Sequence, residues 1–248
     1  MSTPIIEVQG ITKNFKGLKA VSDVSFEVES GKITGMIGPN GAGKSTTFNM
    51  ICGYYPPTSG TILYKGQDIT KKQAYEYTEM GIARTFQIMK PLANLTVQDN
   101  IIASAFFGKN KAKNMKEARE IALETLEFTG LYGKRNVLAK EMGTPDQKRL
   151  EMARALATKP EMLFLDEVMA GLNPAETEGA IDLIRKINES GVTIFLIEHI
   201  MRAVVSLCEK VIVLHHGEKI AVGTPDEVMN DPYVMEVYLG KREEAENA

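Results

Sequence analysis

Apolar and polar residues alternate in short runs through the first part of the chain. The alternation is clearest in IIEVQG and VSDVSFEVE, and a period of two predicts strands with one buried face. The run KITGMIG is apolar almost throughout and predicts a central strand, followed by a helix from about Lys44 to Cys52. A hairpin is then predicted for TSGTILYKGQDI, with Gly60 and Gly66 as turn residues.

The pattern becomes helical from about Met89 to Ala157. Apolar residues recur with helical spacing in LTVQDNIIASAF, NMKEAREIALETLEFTGL and QKRLEMARALA. Gly130 and Gly133 mark breaks between the helices. This part of the chain is therefore predicted to be a helical insertion.

Strands and helices alternate again in the remainder of the chain. Strands are predicted for MLFLDE, VTIFLIE and KVIVLHHGEKIAVG, and helices for PAETEGAIDLIRKINES and IMRAVVSLCE. Alternation of this kind predicts a parallel sheet covered by helices. Two helix starts follow the capping-box pattern with proline at the first helical position, NPAE at Asn173 and TPDE at Thr224.

A phosphate-binding pattern, G-x-x-x-x-G-K-[ST], fits the segment GPNGAGKST between a predicted strand and a predicted helix, which is the context the motif requires. Its glycines let backbone N–H groups cradle phosphate oxygens, Lys44 supplies a positive charge to the β- and γ-phosphates, and Ser45 supplies a hydroxyl to Mg²⁺. A chance glycine-rich turn is the alternative. The predicted nucleotide-binding residues are Gly38, Pro39, Asn40, Gly41, Ala42, Gly43, Lys44, Ser45 and Thr46.

Titratable residues follow two of the predicted strands. Asp166 and Glu167 end MLFLDE, and ligands bind at this edge of a parallel sheet. Beside a phosphate-binding loop, Asp166 is predicted to organise Mg²⁺ and Glu167 to polarise the attacking water as general base, with a solvated turn as the alternative. His199 is predicted to sense the γ-phosphate, with a structural role as the alternative. His215 and His216 are predicted to be exposed turn residues.

The composition is that of a soluble globular protein, with 44% hydrophobic and 25% charged residues among 248. The net charge of -3 argues against nucleic-acid binding as the main task. Cys52 and Cys208 are predicted to be buried free thiols rather than a disulfide or metal ligands. With no signal peptide and no membrane span in the sequence, a cytoplasmic location is expected, and any membrane role would come through a partner.

In this order the motifs resemble those of the ATP-binding cassette (ABC) family, the motor subunits of ABC transporters. The resemblance runs from about Ile5 to Gly240. It includes Phe15 in ITKNFKG, which looks like the aromatic that stacks on adenine, although a strand core residue is the alternative. It also includes Gln87 in ARTFQ, which looks like the glutamine that contacts Mg²⁺ and the attacking water and hinges the helical subdomain.

The fold that this resemblance implies is α/β: a P-loop NTPase (ABC ATPase) core with a parallel sheet, an N-terminal antiparallel β subdomain and an inserted helical subdomain. The chain, 1–248, would form a single ABC ATPase domain. The nucleotide-binding core with the β subdomain would occupy 1–88 and 157–240, the helical subdomain 89–156, and a charged tail 241–248.

Within the family, the matches look most like the ATP-binding subunits of branched-chain amino-acid importers (LivG-like). They are GLKAVSDVSF, GIARTFQ, LTVQDNI, AGLNPAET and VMEVYLG. The resemblance implies an ATPase that uses ATP and Mg²⁺ to power transport through separate membrane subunits, at the inner face of the cell membrane. Residues Gln87–Asn100 would contact the membrane subunit, and a substrate-binding protein would act indirectly.

One segment departs from the family. Its usual Leu-Ser-x-Gly-Gln signature reaches the γ-phosphate of ATP held by the other subunit of a dimer. Here these positions hold Met142, Gly143, Thr144, Pro145 and Asp146. Gly143 lacks a hydroxyl, Pro145 lacks an N–H, and Asp146 brings a negative charge towards the phosphate. The residues still suit a helix start, with Thr144 expected as the N-cap. A heterodimer with a related cassette of intact signature is therefore predicted.

Three other functions are alternatives to a transport ATPase. Cassettes of DNA repair or translation usually carry two cassettes in one chain or long coiled-coil insertions, and neither is present in the sequence. A regulatory or structural cassette that binds ATP with little hydrolysis is favoured by the altered signature and by Val168, where the family usually has proline. A kinase would require an acceptor pocket and a lid with catalytic arginines, which the sequence does not indicate.

Overall fold

The structure is a computed structural model that describes residues 4–85 and 91–239. The strands are β1 Pro4–Phe15, β2 Leu18–Glu29, β3 Ile33–Ile37, β4 Ser59–Tyr64, β5 Gln67–Asp68, β6 Ile82–Arg84, β7 Met162–Asp166, β8 Thr193–Ile197, β9 Lys210–His215 and β10 Glu218–Gly223. The helices are α1 Lys44–Ile51, α2 Ala74–Glu79, α3 Val97–Ala105, α4 Met115–Phe128, α5 Thr144–Leu156, α6 Pro174–Glu189, α7 Met201–Leu207, α8 Pro225–Met229 and α9 Pro232–Leu239. Contacts divide the chain into two compact units, Met1–Lys71 with Ile197–Ala248, and Lys72–Leu196.

The first unit contains an antiparallel sheet in the order β2-β1-β4-β5. β1 and β2 are longer than their predicted runs because the turn between them is tight: Lys16 and Gly17 both have positive φ, 42° and 97°, which suits a two-residue hairpin turn. In the same unit, β3 pairs in parallel with β9, and β9 pairs antiparallel with β10. The predicted antiparallel β region at the N-terminus is confirmed.

The hairpin predicted around β4 and β5 is present, but one of its glycines has a different task. Gly66 lies in the turn between the two strands. Gly60 lies inside β4, so its prediction as a turn residue is wrong. A Cβ on Gly60 would stand 2.4 Å from the carbonyl oxygen of Gly10. Glycine is therefore required there because β1 and β4 approach each other closely.

The second unit contains β6 and β7, which pair in parallel, with the strand order β8-β7-β6. Its helices α3, α4 and α5 pack around an apolar cluster that includes Ile101, Leu126 and Leu150. Together with the parallel pairs of the first unit, these elements confirm the α/β class. Neither α2 nor β6 was predicted, because each is too short to show a period.

Two predicted helix starts are confirmed in atomic detail. At α6 the Asn173 side chain accepts from the Glu176 N–H at 3.0 Å, and the Glu176 carboxylate accepts from the Asn173 N–H at 2.9 Å. Thr224 and Glu227 form the same reciprocal pair at α8. Cys52 and Cys208 are buried and form no disulfide with each other, as predicted. Among residues 4–85 and 91–239, no helix is long and apolar enough to cross a membrane.

Candidate nucleotide-binding site

The predicted phosphate-binding segment follows β3 directly and leads into α1. Two of its glycines are required by nearby backbone. A Cβ on Gly38 would lie 2.2 Å from the Leu214 carbonyl oxygen, and a Cβ on Gly43 would lie 2.7 Å from the Ala20 carbonyl oxygen. Both residues also have positive φ, 152° and 94°. The path of the loop past β2 and β9 therefore depends on these two glycines.

Lys44 places its ammonium over this loop. Its Nζ donates to the carbonyl oxygens of Gly38 at 2.7 Å and Pro39 at 3.1 Å. Asn40–Gly41 and Ser45 are exposed, so the crest of the loop and the start of α1 face solvent. A glycine-rich loop before a helix N-terminus, with a cation beside it, suits the phosphates of a nucleotide. The residues present therefore fit ATP.

The turn between β9 and β10 braces the same loop. The Gly217 N–H donates to the Ala42 carbonyl at 3.0 Å, and the Gly217 carbonyl accepts from the Ser22 N–H at 2.8 Å. His216 is an exposed residue of this turn, as predicted. His215 is instead the half-buried last residue of β9, because the strand continues one position further than expected. The loop is thus held by a backbone hydrogen bond to this turn, and the turn is held in the same way to β2.

Phe15, the predicted adenine platform, is the last residue of β1 and is 42% exposed. Its exposure contradicts the alternative of a strand core residue. The ring packs edge to face with Tyr55, with the centroids 5.7 Å apart. Tyr55 in turn lies near the start of α1, because its hydroxyl is 3.5 Å from the Thr46 carbonyl oxygen. Phe15 is therefore connected to the phosphate-binding helix through one side chain.

His199, the predicted γ-phosphate sensor, lies in the same unit as the phosphate-binding loop. It follows β8 and is exposed, whereas its neighbour Glu198 is buried. Ile200 then serves as the N-cap residue of α7 without a side-chain hydrogen bond. The imidazole is therefore available to a ligand, and its role stays a prediction.

In the second unit, Asp166 is the buried last residue of β7. Its N–H donates to the Thr85 hydroxyl oxygen at 3.3 Å, and its carboxylate lies 3.9 Å from the Arg84 guanidinium. Burial raises the pKa of Asp166, the Arg84 guanidinium opposes this shift, and the charge of Glu167 adds to it. A bound cation stabilises the ionised form of a carboxylate that burial makes costly to ionise. Asp166 therefore fits its predicted task of holding Mg²⁺.

Glu167, the predicted general base, begins the turn that follows β7. Its φ of 47° lies in the left-handed region, which residues other than glycine seldom adopt. The turn is fixed by Lys148 of α5, whose buried ammonium donates to the carbonyl oxygens of Glu167 at 3.3 Å and Ala170 at 2.5 Å. Backbone strain of this kind is concentrated at functional sites.

The altered signature begins α5 differently from the prediction. Gly143 is the N-cap residue, with φ -68° and ψ 162°, and its carbonyl accepts the first helical hydrogen bond, from the Gln147 N–H at 3.0 Å. The prediction that Thr144 caps the helix is therefore wrong, because Thr144 is already helical. The Gln147 side chain instead donates to the Met142 carbonyl at 2.9 Å. The first helical hydrogen bond is thus formed, and no side-chain oxygen caps the helix.

The signature residue Asp146 forms an ion pair with Lys134, which belongs to a short 3-10 turn at Tyr132–Lys134. The Lys134 side chain is 52% exposed and that of Asp146 is 26% exposed. The negative charge expected at this position is therefore partly offset by a neighbouring cation, although solvent weakens the pair.

Gln87 lies outside the described residues, so its contacts stay a prediction. The predicted membrane-subunit surface is described over 91–100, where the buried Asn100 organises the chain. Its side chain accepts from the Leu92 N–H at 2.8 Å and donates to the Leu92 carbonyl at 3.1 Å. Leu92 and Leu95 are 42% and 40% exposed. A fixed loop thus presents two apolar side chains.

Comparison with protein families gives a match to a model described as ABC transporter over residues 21–170. The chain belongs to the ABC transporter family. A second model, described as branched-chain amino acid ATP-binding cassette transporter, matches residues 218–244 of this ABC cassette.

Curated relatives of this cassette match nearly its whole length. It is 39% identical to the high-affinity branched-chain amino acid transport ATP-binding protein LivG of Escherichia coli K12, over 97% of this chain and 100% of the relative. It is 38% identical, with the same coverage, to the protein of that description called BraF in Pseudomonas aeruginosa. A probable LivG of Archaeoglobus fulgidus is 36% identical over 96% of each chain.

Solved structures confirm that the fold is that of an ABC ATPase. A nucleotide-free ATP-binding cassette from an ABC transporter superimposes with a TM-score of 0.87 at 30% identity, over 96% of this chain and 100% of that one. A dimeric bacterial ABC transporter cassette gives a TM-score of 0.80 at 26% identity, over 89% of this chain and 98% of that one.

Sequence reasoning missed several residues that shape the site, among them Tyr55, Arg84, Lys134 and Lys148. Tyr55 carried a usable signal, since the aromatic pair in CGYYPPTSG follows the phosphate-binding helix. The charged side chains carried none, because a lysine or arginine in a helix or strand is normally solvated. Their partners lie far away in sequence.

Proposed function

We propose that this chain is the ATP-hydrolysing subunit of an importer for branched-chain or related amino acids. It would work with separate membrane subunits, at the inner face of the cell membrane, and a substrate-binding protein would deliver the cargo to them. The observation that carries the proposal is the 39% identity to LivG over 97% of the chain. The phosphate-binding loop supports it, because its glycines and Lys44 are arranged for a nucleotide.

In this proposal each residue has a defined task. The backbone N–H groups of Gly38–Thr46, other than Pro39, and the Lys44 ammonium bind the phosphates, and Phe15 stacks on adenine. Ser45, Asp166 and Gln87 hold Mg²⁺, which neutralises phosphate charge when bound. Glu167 accepts a proton from the attacking water, and Gln87 and His199 orient that water and the γ-phosphate.

The proposed contact with a membrane subunit lies at Gln87–Asn100. Leu92 and Leu95 supply exposed apolar surface there, and Asn100 fixes the loop that bears them. A held loop loses little conformational entropy when a partner docks, which favours an interface that must form and persist through a transport cycle.

The proposed partner cassette is a related subunit with an intact signature. ATP held by Gly38–Thr46 of this chain would then be completed by the partner's signature, whereas ATP on the partner would face Gly143 and Asp146. Pro145 offers no N–H to that second nucleotide. Such a heterodimer has one competent and one impaired site.

A second function, a regulatory or structural cassette with little hydrolysis, is favoured by one observation. The start of α5 has no side-chain cap and places the Asp146–Lys134 pair where the family has polar donors. In this case ATP would be bound but hardly turned over, even with a partner present.

Steady-state ATPase activity separates these functions. The chain is assayed alone, then with a cassette partner that has an intact signature, with Glu167→Gln in this chain as control. The transport ATPase predicts low activity alone and Glu167-dependent turnover with the partner. Brisk hydrolysis by the chain alone contradicts the impaired signature, and absence of Glu167-dependent turnover with the partner favours the regulatory function.

A further inference from the structure

A cluster of three aromatic rings and one cation, formed by Phe15, Tyr54, Tyr55 and Lys13, stands beside the phosphate-binding helix. Phe15 and Tyr55 meet at an interplanar angle of 88°. The Lys13 ammonium lies 4.6 Å from the centre of the Tyr55 ring and 5.5 Å from that of Phe15, and it donates to the Pro56 carbonyl at 2.5 Å. Perpendicular aromatic packing and cation–π contacts both restrict ring rotation. Phe15 is therefore held at a set angle.

The segment that carries Tyr55 is itself attached at both ends. At its start, the Tyr54 N–H donates to the Asn49 carbonyl of α1 at 2.9 Å. At its end, the Thr58 N–H donates to the Thr12 carbonyl of β1 at 2.7 Å, and the Asn14 N–H donates to the Thr58 hydroxyl oxygen at 3.1 Å. The segment thus connects the helix that follows the phosphate cradle to the strand that ends in Phe15.

We propose that Tyr55 is a positioning residue for the nucleotide base. It acts through Phe15: its ring fixes the angle of the partly exposed Phe15 ring, and its hydroxyl keeps that ring in register with Thr46 at the start of α1. Stacking of a base on a ring that is already held costs less conformational entropy than stacking on a ring that must first be ordered. This inference rests on the proposed function, in which Phe15 stacks on adenine.

The role predicts that Tyr55 affects binding of the base and spares binding of the phosphates. Titration calorimetry of the full chain with ATP and with inorganic tripolyphosphate tests this. Tyr55→Ala is expected to weaken ATP binding about 3- to 10-fold, the range of an aromatic pair, and tripolyphosphate binding less than about 2-fold. Tyr55→Phe keeps the ring but removes the hydroxyl that contacts Thr46, so it is expected to weaken ATP binding only about 2-fold and to leave tripolyphosphate binding unchanged.

Two further variants make the experiment decisive. Tyr75→Ala removes the same side chain from α2, at a position that is also 67% exposed, and is expected to bind both ligands as the unaltered chain does. Phe15→Ala measures the platform itself. If Tyr55→Ala does not fold, Tyr55→Leu fills most of the same volume without an aromatic ring and carries the same expectation.

The outcomes separate the failure of the Tyr55 role from the failure of the proposed stacking of adenine on Phe15. Equal weakening of ATP and tripolyphosphate by Tyr55→Ala would show a structural effect on the phosphate loop and overturn the base-positioning role. Unchanged ATP binding in Tyr55→Ala, with loss in Phe15→Ala, also overturns it but leaves the platform standing. Unchanged ATP binding in Phe15→Ala removes Phe15 from the base site, and the role of Tyr55 with it.

Discussion

Lys148, a buried residue of α5, donates a hydrogen bond to the carbonyl oxygen of Glu167. The same ammonium contacts Ala170, so the helix that follows the altered signature fixes the turn that carries the predicted general base. A displacement of α5 by a partner subunit would therefore reach Glu167 through one side chain, with no change in the intervening strand.

Replacement of Lys148 by methionine should cost both stability and activity. Methionine fills similar space but leaves the carbonyls of Glu167 and Ala170 without this donor, and a hydrogen bond from a charged group is worth about 1.5–3 kcal/mol. Urea unfolding should show a loss of this size, and ATP turnover should fall as Glu167 loses its fixed position. Lys116→Met, at an exposed position of α4, is the control. A Lys148→Met chain with unaltered unfolding midpoint and turnover would refute the link.

Gly38→Ala should abolish phosphate binding, whereas Gly31→Ala should not. Both glycines have positive φ, but only the Gly38 Cβ would collide with backbone, at 2.2 Å from the Leu214 carbonyl oxygen; no atom lies within 4 Å of a Cβ on Gly31. Gly31→Ala is expected to cost about 1–2 kcal/mol from the left-handed backbone alone. ATP affinity and thermal unfolding of the two variants give the comparison. Similar losses of ATP affinity in both variants would mean that left-handed backbone strain, and not the collision with Leu214, causes the loss.

Restoration of the signature should raise the activity of the chain by itself. Gly143→Ser, Pro145→Gly and Asp146→Gln together return a hydroxyl, an N–H and a neutral side chain to the start of α5. Since one donor to a reacting phosphate or oxyanion is worth about 10²–10³ in rate in favourable sites, a gain of at least about 10-fold is expected. ATPase assays of the chain alone measure it.

The matched control for that experiment is Lys134→Ala in the unaltered sequence. It removes the cation that pairs with Asp146, so residual activity of the chain should fall further. No gain on restoration would mean that "MGTPD" is not what limits hydrolysis.

Alkaline conditions should destabilise the chain through Cys208. Burial, with a smaller contribution from the Glu198 charge, raises the pKa of this thiol from an ordinary 9.0 to about 12. The folded chain therefore keeps the proton to higher pH than the unfolded chain, and the free energy of unfolding declines as pH rises from 9 towards 12. Urea unfolding between pH 8 and 11 should show a shallower decline for Cys208→Ala. Parallel curves for the two chains would contradict this origin.

The parts of the site that depend on local spacing were predictable from sequence. The segment Gly38–Thr46 requires a strand before it and a helix after it. The residues on either side of the segment predict both elements. Asp166 was placed correctly at the end of a buried strand because a fully apolar run precedes it. The capping boxes at Asn173 and Thr224 are equally local.

The parts that depend on distant backbone were not predictable. Glycine commonly marks a turn, which predicts one at Gly60, yet Gly60 serves the close approach of β1 to β4. Threonine favours the N-cap position, which predicts a cap at Thr144, but the first helical hydrogen bond goes to the carbonyl of Gly143. Lys148 is indistinguishable from a solvated helix residue until the turn after β7 is placed beside it.

The brace around the phosphate-binding loop has a consequence for chain length. Surface hairpins usually tolerate an added residue, but the turn at His216–Gly217 uses both its N–H and its carbonyl to hold Ala42 and Ser22. Its length is therefore fixed by neighbours on either side. In the β4–β5 turn the Lys65 N–H donates to the Ile5 carbonyl at 2.9 Å, but no atom lies within 4 Å of a Cβ on Gly66, so a peptide tag or an inserted domain is better placed after Gly66. The two hairpins look alike in sequence, and only one of them is a safe point of attachment.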